Sequence, residues 1–273
     1  MEQIKHNTIV ENNAKRQISL KDMVIFVKAQ RVPCGSTAVN PSSNALVKKL
    51  LYLITFLSVS AICYAQTDNE SGIKPGKYEI NGHEYVDLGL SVKWATCNIG
   101  ASIPSDYGDY FAWGETKPKS EYHWSTLKYC LDREGEKFSK YVTDKEYGSV
   151  DGKSVLDMTD DVARVNWGGK WRMPTRSEQK ELKDKCTWTW TTLDGHEGYN
   201  VTSMINGNSI FFPAAGYRYY DSLDHVGSEG SYWSSSLNTD CPYYAYYLYF
   251  NSVSVETYGY GRYDGIPVRP VLD

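Results

Sequence analysis

Residues 167–182, which read WGGKWRMPTRSEQKEL, hold the sequence signal that decides the fold. Thr175 is a good N-cap because its hydroxyl can accept a free amide proton in the first turn of a helix. Glu178 lies three residues later and can reach back to the Thr175 amide, which completes a capping box. Pro174 cannot lie inside a helix, so the helix begins after it. The stretch therefore predicts a surface helix over residues 175–185.

A second short helix is predicted just upstream, over residues 159–166. Thr159 can cap it, two aspartates favour its positive end, and Gly168 ends it. The glycine pair 168–169 then permits a tight turn before the next extended segment. From Thr187 onward the chain consists of short runs rich in Trp, Tyr, Thr and Val between turn residues, which predicts strands and long loops.

Both ends of this region also predict strands. The Asn81-Gly82 pair is a strong turn signal, and residues 83–88 alternate polar and apolar side chains as a half-buried strand does. Residues 266–272 read as extended too, but their two prolines confine the segment to the edge of a sheet.

Six stretches along the chain resemble one known protein family. They are residues 84–97 (EYVDLGLSVKWATC), 107–116 (YGDYFAWGET), 167–178 (WGGKWRMPTRSE), 212–218 (FPAAGYR), 232–236 (YWSSS) and 268–271 (VRPV). In this order they resemble the Fibrobacter succinogenes major paralogous domain family, over residues 79–273. The resemblance implies a C-type-lectin-like fold, shared distantly with formylglycine-generating enzymes, in secreted or surface proteins found largely in Bacteroidetes.

We therefore expect an α+β fold of the C-type-lectin-like type, with two short helices, mostly antiparallel twisted strands and long irregular loops. The resemblance further implies that the N- and C-terminal strands lie next to each other. It does not imply one biochemical activity, because a fold of this kind carries many unrelated functions.

Residues 47–65 read as a signal peptide. Two lysines are followed by the apolar run 50–62, which is shorter than the ~20 residues that span a bilayer. Small residues at the positions that signal peptidase reads predict cleavage after Ala65, and hence an extracellular, cell-surface or periplasmic protein. Lipid anchoring at Cys63 is the rival interpretation, which Ile62 disfavours because lipidation motifs want a small residue directly before the cysteine.

The remaining boundaries follow from this signal. Residues 1–46 are either a disordered N-terminal extension or the result of a start codon assigned too early, and the second is favoured because Leu46 or Val47 could be the true start. Residues 66–78 are predicted to be a linker. Residues 79–273 are predicted to form one C-type-lectin-like domain, since their number suits a single sizeable core.

The charge of the predicted mature chain disfavours two classes of partner. Residues 1–65 hold eight of the 29 Lys and Arg and three of the 33 Asp and Glu, which leaves 21 basic and 30 acidic side chains. Nucleic-acid binding demands a basic surface, and so does binding to an anionic membrane. We therefore expect no nucleic-acid partner and no transmembrane segment in the mature chain.

Four cysteines follow the predicted cleavage site, and an even number in an exported protein fits two disulfide bridges whose pairing the sequence leaves open. They are Cys97, Cys130, Cys186 and Cys241. No pair has Cys-x-x-Cys spacing, which disfavours structural zinc. Asp106, Asp109 and Glu115 suggest calcium, but no Asp-x-Asp-x-Asp-Gly loop contains them. We predict no metal and no cofactor.

The sequence also lacks the common catalytic motifs. It has no Gly-x-Ser-x-Gly, no phosphate-binding glycine loop and no His-Glu-x-x-His. The histidines at positions 83, 123, 196 and 225 have no evident nucleophile and acid beside them. Formylglycine-generating relatives need two redox-active cysteines close together near their C-terminal region, whereas Cys241 stands alone. We predict a protein that is not an enzyme, with a formylglycine-generating-like oxidase as the less favoured alternative.

Tyrosine dominates the last third of the chain. Residues 217–263 hold 12 of the 23 tyrosines, mixed with Ser, Asn, Asp and Gly. Residues 245–255 read as one strand, and the other tyrosines fall in turn-rich segments. Loops with rigid aromatic side chains and small polar residues have the composition of an antibody paratope. This pattern predicts a module that binds a protein or a glycan at the cell exterior.

The candidate ligand-binding residues all lie in these predicted loops. They are Tyr219, Tyr220, Asp221, Asp224, His225, Glu229, Asn238, Asp240, Tyr243, Tyr258, Tyr260, Arg262 and Tyr263. The main alternative is a structural surface or cell-envelope protein whose tyrosines only pack. Diversification of residues 219–264 by a retroelement is a narrower hypothesis, suggested by the resemblance. Five tryptophans beside turns are assigned to the scaffold, namely Trp94, Trp113, Trp167, Trp171 and Trp233.

Overall fold

The computed structural model describes residues 78–273, so the predicted extension, signal peptide and most of the linker lie outside the described residues. The described chain is mostly β, with 39% strand and 11% helical residues in several antiparallel sheets. The predicted α+β class is therefore wrong. Its error lies in the last third of the chain, where segments predicted as loops pair as strands.

Residues 78–273 contain thirteen strands and two α-helices. The strands are β1 (Tyr78–Ile80), β2 (His83–Val86), β3 (Lys93–Ala95), β4 (Trp171–Arg172), β5 (Cys186–Leu193), β6 (His196–Ser203), β7 (Ser209–Pro213), β8 (Tyr217–Tyr219), β9 (Ser222–Asp224), β10 (Glu229–Leu237), β11 (Tyr244–Asn251), β12 (Ser254–Gly261) and β13 (Val271–Leu272). The helices are α1 (Val162–Trp167) and α2 (Arg176–Lys185).

The strands form four sheets in the described residues, with orders β1-β2-β3-β13-β4, β5-β6-β7, β10-β11-β12 and β8-β9. The chain's last strand does share a sheet with the first three, but its neighbours are β3 and β4 rather than β1. It is therefore an interior strand, and the predicted edge position is wrong. Pro270 precedes the paired residues, so its missing amide removes no hydrogen bond from the ladder.

Both predicted helices are present. Thr175 and Glu178 form the capping box: the Glu178 amide donates to Thr175 Oγ1 over 3.3 Å, and the Thr175 amide donates to Glu178 Oε2 over 2.7 Å. Helix α1 is capped by Asp161 instead of Thr159, because the Asp161 carboxylate accepts hydrogen bonds from the amides of Ala163 and Arg164. The same carboxylate accepts the amide of Met173 and so ties α1 to β4.

The predicted strand over residues 245–255 is in fact a hairpin of β11 and β12. Asn251 makes the turn, because its side-chain oxygen accepts the amides of Val253 and Ser254, each over 3.0 Å. This local turn signal was available in the sequence. The consequence is that Tyr258 and Tyr260 lie in strand β12 rather than in a loop.

Two large apolar clusters form the core, one around Trp94, Phe212 and Phe250 and the other around Trp113 and Trp233. The assignment of tryptophans to the scaffold is confirmed for the four that are fully buried, while Trp167 is half-buried. In the second cluster the Trp113 indole donates to the Ser234 carbonyl over 2.8 Å. The Trp233 indole donates over 2.8 Å to the Phe111 carbonyl. These reciprocal bonds lock β10 to the segment around residue 112.

Within residues 78–273, no disulfide joins any of the four cysteines that were predicted to form bridges. Cys186 packs in the first core cluster. The Cys130 thiol donates to Asp132 Oδ1 over 3.3 Å. The expected two bridges are therefore not present in the described fold.

Arg262, which the sequence suggested as a ligand contact, is completely buried. One guanidinium nitrogen donates to the Pro242 carbonyl over 3.0 Å, and the other donates to the Lys140 carbonyl over 3.1 Å. The guanidinium also lies 4.4 Å from the centre of the Phe138 ring and 5.0 Å from that of Trp113. Arg262 therefore joins β12 to the irregular segment around residue 140, and its predicted role at the surface is wrong.

Burial lowers the pKa of the Arg262 guanidinium to about 9, so it still carries its charge at neutral pH. We predict that Arg262→Met lowers the free energy of unfolding by about 3 kcal/mol, because the carbonyls that it satisfies lose their donors. Chemical denaturation monitored by tryptophan fluorescence measures this. Arg133→Met, at an exposed position, is the matched control and should change stability by less than about 0.5 kcal/mol. Equal stability of the two variants would contradict this role of Arg262.

Candidate functional site

Six tyrosines lie in or next to strands β8 and β12, which ring contacts bring together, and we call this set the tyrosine surface. Its members are Tyr217, Tyr219, Tyr220, Tyr258, Tyr260 and Tyr263. Tyr258 belongs to it because it lies two residues before Tyr260, on the same face of β12. Ring centroids lie 5.6 Å apart for Tyr217 and Tyr260, and 6.1 Å apart for Tyr219 and Tyr263. Tyr220 contacts Tyr219 with a centroid distance of 4.6 Å. Strand β8 and the end of β12 thus place their rings together.

Backbone hydrogen bonds hold these two parts in register. The Arg218 amide donates to the Gly265 carbonyl over 2.7 Å, and the Gly265 amide donates back over 2.9 Å. Position 265 requires glycine, because a Cβ atom there would lie 2.7 Å from a ring carbon of Tyr122. The backbone next to these tyrosines is therefore hydrogen-bonded between strands, and it is more rigid than the loops that the sequence predicts there.

Tyr220 is the most constrained exposed ring of this surface. Its side chain is 50% exposed, yet its backbone takes the left-handed conformation with φ of 54°, which a tyrosine rarely adopts. Two backbone hydrogen bonds to Tyr122, of 2.9 and 3.0 Å, hold it there. Its ring stacks on His123 at 5.4 Å with an interplanar angle of 17°. Strain of this kind is kept where the surrounding structure enforces it, which is common at functional sites.

His123 and Trp124 belong to the site although the sequence analysis missed them. Trp124 lies 4.5 Å from Tyr263 between ring centroids, and His123 supports Tyr220. Both are brought there by the pairing of Tyr122 with Tyr220, a contact between residues far apart in sequence. No local pattern could reveal it.

His123 also contacts Ser125 and Glu121, so that a hydroxyl, an imidazole and a carboxylate follow one another as they do in a hydrolase triad. Ser125 Oγ lies 2.7 Å from His123 Nδ1, and Glu121 Oε2 lies 3.3 Å from His123 Nε2. The Glu121 side chain is 61% exposed, however, and Ser125 is exposed as well, so water competes for both hydrogen bonds. We assign these contacts to orienting the imidazole ring under Tyr220.

A buried carboxyl group lies beneath the tyrosines. Asp264 is 1% exposed, and its Oδ1 atom has no hydrogen-bond partner among the described residues. Burial raises the pKa of Asp264 well above its ordinary value. Burial, and next the nearby Asp264 carboxylate, also raise the pKa values of Tyr260 and Tyr263. The hydroxyl groups of Tyr260 and Tyr263 are therefore neutral hydrogen-bond donors at physiological pH.

The structure distributes the thirteen predicted contact residues over three places. The β8–β9 hairpin, the turn after it and the first residue of β10 carry Tyr219, Tyr220, Asp221, Asp224, His225 and Glu229. The end of β12 and the residues after it carry Tyr258, Tyr260, Arg262 and Tyr263. These two groups meet at the tyrosine surface. The connection between β10 and β11 carries Asn238, Asp240 and Tyr243, and Tyr243 contacts Tyr147 and Tyr244 instead.

Exposure separates these candidates further. Five of them are exposed, namely Tyr220, Asp221, His225, Asp240 and Tyr258, while Arg262 is buried and the others are half-buried. His225 stacks on Tyr217 at 5.6 Å, and its Nδ1 atom lies 3.6 Å from Glu229 Oε1. The rim of the tyrosine surface is thus acidic and aromatic.

The described residues also line two clefts, and charged side chains in them are already paired with other residues. One of about 220 Å³ is lined by Met158, Arg164 and Arg172 among others. Arg172 is already paired with Glu178 at 2.7 Å and with Asp273 at 2.6 Å. A second, more open cleft of about 340 Å³ is lined by Glu115, Thr116, Lys117, Thr126 and Lys128.

Within residues 78–273, no three His, Cys, Asp or Glu side chains come together as metal ligands. The Glu115 carboxylate accepts hydrogen bonds from Lys119 Nζ and the Lys128 amide. No helix in this same part of the chain is both apolar and long enough to cross a membrane.

Comparison with known proteins leaves the function open. A family model described as Domain of unknown function (DUF8237) matches residues 191–271, a range that includes every member of the tyrosine surface. No curated protein and no solved structure matches the chain. The resemblance to the Fibrobacter succinogenes major paralogous domain family stays a prediction.

The raised pKa of Asp264 predicts a pH-dependent cost to stability. Above the ordinary pKa of about 4 the unfolded chain releases this proton while the folded chain keeps it, so ionisation favours unfolding as pH rises. Asp264→Asn removes this cost. We expect the free energy of unfolding of the variant, relative to the wild type, to increase between pH 4 and pH 8 in denaturation curves. A difference that stays constant across this range would contradict a raised pKa.

Proposed function

We propose that residues 78–273 form a recognition module at the cell exterior, which binds a protein or glycan ligand through the tyrosine surface. The observation that carries the proposal is the state of Tyr220, a half-exposed ring on a left-handed backbone that two hydrogen bonds and a stacked His123 hold in place. An aromatic ring fixed in advance loses little conformational entropy when a ligand covers it.

The surrounding side chains complete a binding surface of mixed chemistry. Tyrosine hydroxyl groups can donate hydrogen bonds, while Asp221, Asp224 and Glu229 offer acceptors at the rim. Tyrosine is among the residues that contribute most to protein interfaces, and its ring face also stacks on sugars. None of the six tyrosines lines either of the two clefts described above, which favours an extended ligand over a small molecule bound in a pocket.

Export of the chain is part of the same proposal. It is supported by the predicted signal peptide at residues 47–65. No cofactor is needed for recognition of this kind. The competing function is that of a structural surface protein, in which the same rings serve packing alone.

The test begins with the full chain applied to a glycan array and to a displayed library of extracellular proteins. Affinity for any ligand found is then measured for the wild type, Tyr220→Ala and Tyr258→Ala. We expect each variant to bind about tenfold more weakly or worse, as loss of a central aromatic contact does.

Tyr78→Ala is the matched control, because Tyr78 is 53% exposed but lies in β1, outside the tyrosine surface. It should bind as the wild type does. Equal losses in all three variants, or none in any of them, would contradict the assignment of the surface. A failure to find any ligand in both screens would favour the structural alternative.

A further inference from the structure

Strand β5 leaves one of its edges without a partner in the described residues. It lies at the edge of the β5-β6-β7 sheet and pairs with β6 along its whole length, from Cys186 opposite Ser203 to Leu193 opposite His196. Among residues 78–273, no segment other than β6 exchanges backbone hydrogen bonds with residues 187–193. Thr187, Thr189, Thr191 and Thr192 are all exposed.

The hairpin turn shows which backbone groups face outward. Asp194 and Gly195 have φ angles of 50° and 85°, the pattern of a two-residue type I′ turn. In such a hairpin Leu193 and His196 form a hydrogen-bonded pair, and hydrogen-bonded pairs alternate along an antiparallel ladder. Residues 187, 189, 191 and 193 therefore bond to β6. The backbone donors and acceptors of residues 186, 188, 190 and 192 point away from the sheet.

This edge carries none of the usual devices that prevent pairing with another chain. Residues 186–193 read CTWTWTTL and contain no charged residue, proline or glycine, and the register shows no bulge. The other edges differ. Strand β1 has three residues including Glu79, β7 ends at Pro213, and β12 contains Glu256.

We propose that β5 pairs antiparallel with the β5 strand of a second copy of this chain, and so joins two three-stranded sheets into one. A second copy fits because the strand is complementary to itself about a two-fold axis through Thr189. In that register Trp188 faces Trp190 of the second copy on the inner face, and Thr187 faces Thr191 on the outer face. Aromatic and Thr–Thr cross-strand pairs both stabilise sheets.

The register also uses every outward backbone group. Residues 186, 188, 190 and 192 of one copy meet residues 192, 190, 188 and 186 of the other as hydrogen-bonded pairs. Strand β5 belongs to a different sheet from β8 and β12, so pairing through β5 uses no residue of the tyrosine surface. The dimer therefore presents two tyrosine surfaces, and on the proposed function this increases avidity for a multivalent ligand.

The first experiment compares the wild-type full chain with Thr189→Lys by sedimentation over concentrations up to about 200 µM. The wild type should shift with concentration from the 31.0 kDa monomer towards twice that mass. Thr189→Lys should stay monomeric, because the two lysines meet at the axis. Thr202→Lys, on the interior strand β6, is the control and should dimerise as the wild type does.

A charge-pair experiment then tests the register itself. Thr189→Glu alone should also be monomeric, whereas an equimolar mixture of Thr189→Lys and Thr189→Glu should form a heterodimer. This rescue requires folded protein, so it excludes misfolding as the cause of the monomers. A wild type that remains monomeric at every concentration overturns the proposal. A dimer that persists in Thr189→Lys, or a mixture that stays monomeric, overturns β5 as the two-fold interface.

Discussion

The buried guanidinium of Arg262 is the interaction on which the candidate site depends. A charge without a carboxylate partner is costly inside a protein, and here three backbone carbonyls and the faces of Phe138 and Trp113 compensate it. The carbonyls belong to residues 140, 141 and 242, which lie in segments with little secondary structure of their own. One side chain therefore fixes the irregular middle of the chain against the end of β12, where the tyrosine surface begins.

Arg262 and Asp264 are close in sequence but have different neighbours. The arginine points inward to satisfied carbonyls, while the aspartate lies beneath the tyrosine rings with one oxygen atom unpaired. Burial raises the pKa of this carboxyl group well above its ordinary value, which is a cost to the stability of the folded chain as pH rises. Destabilising groups of this kind persist where a folded frame enforces them, and the reciprocal tryptophan bonds around residues 113 and 233 are part of that frame.

Local signals in the sequence were sufficient for the elements that local chemistry determines. The capping box at Thr175, the Asn81-Gly82 hairpin and the buried tryptophans are all found where their patterns predict them. The α+β class failed because Tyr258 and Tyr260, set among glycines, were interpreted as loop residues although tertiary pairing with β11 makes them a strand. Composition likewise suggested an exposed Arg262, and the contact of Tyr122 with Tyr220 has no local signature at all. What the sequence missed is the long-range pairing that converts predicted loops into a rigid surface.

The central claim is that the tyrosine surface is part of the folded frame rather than a set of mobile loops. Amide hydrogen exchange of the full chain, followed by proteolysis and mass spectrometry, measures this directly. The account predicts that peptides covering residues 217–225 and 256–265 exchange as slowly as peptides from β10 and β11. Complete exchange of these two segments within seconds, with β10 and β11 still protected, would contradict it.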